Sequence, residues 1–153
     1  MTADGRCPEC GAPGAGSAEA CAQRFNGLGV ERFDDSELAS DWRLIVDCYS
    51  LQHARYILSA RSLAAHLTGV CIALEHRGDE ALLRAIQQWL SRTQDLVKAA
   101  VPERRGAVTI DDVIAAAPED RRAIVRAWAA SAWAAWGEQQ SLARSWIAAA
   151  GGR

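Results

Sequence analysis

The sequence predicts an all-α fold, a bundle of about five helices behind a glycine-rich N-terminal loop. Three observations predict it. Apolar residues recur at three- and four-residue spacing over most of the chain, which lines one face of a helix. Ser, Asp and Thr stand where helices start, and Gly or Pro stands between them. No stretch alternates with period two for more than a few residues, so the loop holds the one place for a short strand pair.

Residues 1–16 carry no period and are rich in Gly and Pro. Ser17 is an N-cap candidate, with Glu19 in the first turn, where the helix dipole favours a carboxylate. Ala18, Cys21, Ala22, Phe25 and Leu28 then share a face until Gly27 and Gly29, which are expected to end the helix. Asp34, Asp35 and Ser36 start a second helix, carrying Leu38, Trp42, Ile45, Tyr49, Gln52 and His53 to about residue 57. Ser59 caps a third, with Leu63, Ala64, Leu67, Val70, Cys71 and Leu74 inward, stopping at Gly78. Asp79 opens a fourth, whose inner face runs from Leu82 or Leu83 through Ile86, Trp89 and Leu90 to Leu96 or Val97. Pro102 and Gly106 break the pattern. Thr109-Ile110-Asp111-Asp112 resembles a capping box with Asp for the usual Glu or Gln, and Asp111 and Asp112 both read as capping residues. That short helix ends before Pro118, which suits the first turn of a last helix reaching about Ala149. Disorder is expected only at the two ends.

At 153 residues the chain reads as a single unit, with residues 1–16 as a loop on a helical domain spanning 17–150. Net charge is -2 and the pI near 5.9, which gives no electrostatic footprint for nucleic acid or an anionic membrane. Of the 17 basic residues only Lys98 is a lysine, a bias expected of a GC-rich bacterial genome more than of phosphate binding. No apolar run approaches the roughly 18–20 residues that span a bilayer, and no signal-peptide core is visible. A cytoplasmic location follows as the expectation. Five cysteines in a reducing compartment then read as metal ligands and buried thiols, not as a disulfide framework.

The strongest motif is Cys7-Pro8-Glu9-Cys10-Gly11, with Cys21 further on. A Pro between two cysteines and a Gly after them make a tight turn that aims both sulfurs at one spot, as a tetrahedral thiophilic ion requires. The loop is therefore zinc-knuckle-like, and zinc is the expected cofactor. A redox pair is the rival reading. It needs a helix to begin at the cysteines, and Gly-Ala-Pro-Gly-Ala-Gly follows instead. Cys21, early on a helix, is the third ligand.

For the fourth ligand the candidates are Cys48, His53, His66, Cys71, His76 or a carboxylate, with His53 favoured and Cys48 next. Asp47 or a backbone carbonyl is expected to hold the second His53 nitrogen. Glu37, Asp41 and Asp47 read as a solvated helix side, with Asp47 singled out as lying beside the candidate histidine. His66 reads as a core or rim histidine bonded to a carbonyl, His76 as a helix C-terminal cation, and Cys71 as a small buried hydrophobe. Trp128, Ala132 and Trp136 share a face of the last helix, with Trp133 well around it. Core is the default for such rings, and a pocket or a homodimer seam is the alternative. Tyr49, Gln52, His66, Trp128 and Trp136 are the candidate pocket residues. No P-loop, GxGxxG, GxSxG or HExxH stretch is present.

Taken in order, CPECGA, the Cys21 helix, VDCYSLQH (46–53), SLAAHL (62–67), TIDDV and WAASAWAAW resemble a bacterial domain-of-unknown-function family. Its members are small proteins that begin CPxCG and carry a YxLQHP stretch. The resemblance covers nearly the whole chain and supports Cys7, Cys10, Cys21, Gln52 and His53 as site residues. It implies no activity. The chain departs from the pattern at Trp42, Gln139 and Gln140, where histidines are expected, and at Ala54 in place of Pro. The first departure set implies loss of any second polar or metal site those histidines form, and Ala54 lets the second helix run on.

Three functions are thus in view. The first is a zinc-stabilised binding or interaction protein with structural metal, whose partner is a protein or small molecule and not nucleic acid or membrane. The second is a zinc enzyme of hydrolytic or acyl-transfer type, using an open metal position or a His53/Gln52/Tyr49 pocket. The third is a small-molecule sensor built around the tryptophan helix. Three thiolates quench the Lewis acidity that catalytic zinc needs, which favours the first.

Overall fold

The computed structural model describes residues 4–151, and every described element is helical. Seven α-helices follow one another: α1 (Ala18–Glu31), α2 (Ser36–Leu51), α3 (Ala60–Glu75), α4 (Glu80–Arg92), α5 (Ile110–Ala115), α6 (Arg121–Ala135) and α7 (Gln140–Gly151). Single 3-10 turns lie at Ala54–Tyr56, Pro118–Asp120 and Gly137–Gln139. Among the described residues there is no strand, so the short pair allowed for in the loop does not form. The expected disordered ends fall on residues 1–3 and 152–153, which lie outside the described residues. No described helix is long and apolar enough to cross a membrane.

The starts follow the expected caps. Ser17 accepts from the Ala20 N–H, Asp35 from those of Glu37 and Leu38, Ser59 from Ser62, and Asp79 from Ala81 and Leu82. Each side-chain oxygen satisfies a backbone donor that has no partner in the first helical turn.

The ends depart from expectation where tertiary partners take over the backbone. Helix α1 passes through Gly27 and Gly29 to Glu31. Helix α2 ends at Leu51, not near residue 57, because the Ala54 N–H that would continue it donates to Glu9 Oε1 at 2.7 Å. Helix α4 stops at Arg92. The Thr93 hydroxyl bonds the Trp89 carbonyl at 2.8 Å while Arg61 draws off the Thr93 carbonyl at 3.1 Å, and Val97 is exposed. The last helix is broken in two at Trp136. The ladder tightens there, the Trp136 N–H reaching both the Ala132 and Trp133 carbonyls. The Gln140 side chain adds a donor to the Trp133 carbonyl at 2.9 Å, and Gln139 ties the break to the Ala100 carbonyl at 2.7 Å.

Helix α3 is central and packs against α2, α4, α6 and α7. Helix α2 also packs on α6, α4 on α7, and α5 on α1 and α6. The break at Trp136 lets α6 serve α2 while α7 serves α4. Trp128, Ala132 and Trp136 are fully buried, as a shared inward face requires. A buried tryptophan removes about 150–250 Å² from water, on the order of 4–6 kcal/mol at ~25 cal/mol per Å² before ordering entropy.

Cys7, Cys10, Ala12 and Ala15 belong to this same core, so the N-terminal loop packs on the bundle. Asp111 fastens it from α5, taking the Gly14 N–H at 2.9 Å on one oxygen and Arg24 of α1 at 2.5 Å on the other. Asp111 therefore clamps the loop, and Asp112 alone serves the cap, accepting from the Thr109 N–H at 2.8 Å.

Candidate metal centre

Within the loop, the Cys7 N–H reaches the Ala12 carbonyl at 3.0 Å and the Gly11 N–H the Cys7 carbonyl at 2.9 Å. Pro8 presets the second position of that turn. Gly11 has φ 80, a left-handed value that a glycine takes without steric cost. Cys7 and Cys10 thereby face the same point. Cys21 comes to it from the first turns of α1, and His53 from just beyond α2, where φ -130 and ψ 115 swing it out of the helix path.

One ligand atom from each of Cys7, Cys10, Cys21 and His53 lies within 4.8 Å of the others, and all four residues are buried. Cys10 Sγ and Cys21 Sγ are 3.7 Å apart. His53 Nε2 is 3.4 Å from Cys21 Sγ and 3.7 Å from Cys7 Sγ. A tetrahedral ion with metal–sulfur bonds of about 2.3 Å and metal–nitrogen bonds of about 2.0–2.1 Å has S···S edges of roughly 3.8 Å and S···N edges of roughly 3.5 Å. These three edges fit that figure, so the cluster could hold a metal ion.

His53 presents the correct nitrogen. Its Nδ1 lies 2.7 Å from the Tyr49 carbonyl oxygen, which can only accept, so Nδ1 carries the proton and Nε2 offers its lone pair. The ring is also clamped by stacking. Trp42, Phe25, Tyr49 and His53 form a column with successive centroid separations of 5.2, 4.1 and 3.9 Å.

The sulfurs perturb one another strongly. The Cys21 contact, with burial, pushes the Cys10 thiol far up, although an Ala12 backbone N–H favours its thiolate. The Cys10 hydrogen bond brings Cys21 down to about 4 against its burial, helped by His53. Burial and the neighbouring Cys21 push the Tyr49 phenol up, and its hydroxyl makes no well-formed hydrogen bond. One proton shared between close sulfurs is what a cation would replace.

The remaining candidates lie elsewhere. Cys48 is fully buried outside the cluster, and burial pushes its thiol up. Cys71 is likewise buried and is pushed up to about 12. It lies near Glu75 and His76 in a second group of ligand-type atoms, where Glu75 is already gripped by Arg144 at 2.6 and 2.9 Å. Asp47 is not on a solvated side and does not hold His53. It is buried and accepts from His66 Nδ1 at 2.8 Å, so His66 bonds a carboxylate where a carbonyl was expected.

Of the candidate pocket residues, Gln52 has its amide engaged throughout. It donates to the Arg105 and Val108 carbonyls at 3.2 and 2.8 Å and accepts from Trp128 Nε1 at 3.0 Å. Tyr49 is stacked in the column, Trp136 is core, and His66 faces Asp47. Sequence reasoning missed Glu9 and Arg24 as loop fasteners. Their partners are 45 and 87 residues away, and nothing local signals them.

The fold and cluster together define a small all-helical protein with a buried Cys3His group able to take a metal ion. The chain belongs to DUF5946, a family of unknown function whose sequence profile matches residues 5–137. No curated protein and no solved structure matches it.

Proposed function

We propose that this is a zinc-binding helical protein in which the metal is structural and the bundle serves a binding or interaction role. The observation that carries the reading is the set of four buried donors within 4.8 Å. Three thiolates and one imidazole suit zinc among the common divalent ions, because sulfur donors at tetrahedral edges disfavour magnesium, calcium and manganese. When bound, the ion would offset the thiolate charge and tie the loop to α1 and to the turn after α2. Four protein donors leave no position for water, which favours a structural over a hydrolytic metal. Reduced thiols are in keeping with a cytoplasmic location, and net charge -2 with a protein or small-molecule partner instead of nucleic acid or membrane.

Elemental analysis of protein purified without added metal tests this. About one zinc per chain is expected from the donor count. Less than a tenth of that, with all thiols titratable in the folded protein, ends the reading.

A further inference from the structure

A second polar feature shares no residue with the cysteine cluster. A groove of about 630 Å³ opens between α2, α3, α4 and α6, lined by Arg43, Arg77, Arg84, Arg122, Arg126 and Asp47 among others. Two of these arginines are neutralised in place. Arg122 pairs with Asp41 at 3.1 Å and Arg84 with Glu80 at 3.7 Å. Arg43, Arg77 and Arg126 make no side-chain hydrogen bond or ion pair with the described residues, which leaves a positive rim. Arg77 is the one non-glycine described residue in the left-handed region, at φ 53, where it turns the chain out of α3 beside the groove.

Asp47 is the buried end of this groove. His66 engages its Oδ1, while no described residue donates to Oδ2. Burial pushes this carboxyl up, opposed by His66 and by Arg43. Its seat is specific. A Cβ on Gly69 would stand 2.1 Å from Asp47 Oδ2, so α3 carries a glycine in mid-helix at the one place where this carboxylate meets it. Asp47 Oδ2 is not sealed from solvent, so it remains an acceptor that a groove ligand can reach, and Arg43, Arg77 and Arg126 are exposed along the same groove.

We propose that the groove binds a small organic oxyanion, a phosphate or a carboxylate held by Arg43, Arg77 and Arg126, that also carries an amino or hydroxyl donor for Asp47 Oδ2. The groove is lined by both kinds of partner, guanidinium donors and a carboxylate acceptor. Guanidinium groups take the oxyanion by paired N–H donors, and the donor satisfies the carboxylate.

NMR titration of the zinc-loaded protein with four probes tests this: methyl phosphate, O-phosphoethanolamine, propionate and β-alanine. The expected result is saturable shifts at amides of residues 40–47, 69–78 and 122–126. In one oxyanion class the amine-bearing probe should bind at least tenfold tighter than its amine-free partner, and the class that does so separates phosphate from carboxylate. Arg77→Ala with Arg126→Ala, both exposed positions, should weaken binding at least tenfold, and Asp47→Asn should erase the difference between partners. No saturable shift with any probe, shifts unchanged in the double arginine variant, or equal affinity with and without the amine overturns the proposal.

Discussion

The Nδ1 atom of His53 lies 2.7 Å from the carbonyl oxygen of Tyr49, one helical turn earlier. Helix α2 ends at Leu51, so that carbonyl has no donor four residues on; it takes the Gln52 N–H at 3.1 Å, and the imidazole is a second donor to it. That second bond uses the carbonyl's remaining lone pair and fixes the tautomer that aims Nε2 at the sulfurs.

Replacing His53 with Ala is expected to leave three thiolates and a weaker site. The loss of zinc affinity should exceed the ~10–100-fold typical of losing an outer-shell partner. A competition titration against a zinc chelator reads it. Equal affinity in the two proteins would remove His53 from the site.

Cys10→Ser should loosen residues 4–16 and leave most helical circular dichroism in place. The bundle has its own tryptophan core, whereas the loop contributes little beyond its cysteines, Ala12 and Ala15. Loss of most helicity would mean that the metal holds the core itself.

Asp111→Ala removes the acceptor for both Gly14 and Arg24. The orphaned groups should cost about 1–3 kcal/mol in denaturant unfolding. Amide exchange at Gly14 should accelerate while amides in α3 keep their protection. Unchanged exchange at Gly14 would contradict the clamp.

Gly69→Ala ought to stabilise an ordinary helix by about 0.5–1 kcal/mol. Here it should destabilise, because the new methyl collides with Asp47 Oδ2. Combined with Asp47→Ala it should cost less than the sum of the two single changes, as expected for groups in contact. Additive losses in a denaturant double-mutant cycle would show that the two residues are uncoupled.

Much of this was readable from local signals. The caps at Ser17, Asp35, Ser59 and Asp79 and the inward face of Trp128, Ala132 and Trp136 depend on neighbours within a turn or two. The cysteine turn is equally local. The ends of α2 and α4, the break at Trp136 and the roles of Asp47 and Asp111 are not. Each involves a partner far along the chain: Glu9 for Ala54, Arg61 for Thr93, Ala100 for Gln139, His66 for Asp47, Arg24 for Asp111. Trp42, where the family resemblance led a histidine to be expected, has a part of its own in three dimensions. Trp42 extends the aromatic column and carries the Arg32 guanidinium 4.8 Å from its ring centre.

The most direct test of the metal centre is zinc K-edge X-ray absorption on protein purified without added metal. Cys7, Cys10, Cys21 and His53 predict a four-coordinate shell of three sulfurs at about 2.3 Å and one nitrogen at about 2.0–2.1 Å, with imidazole outer-shell scattering. Two or fewer sulfurs, or a shell completed by water oxygen with no imidazole signal, would contradict it.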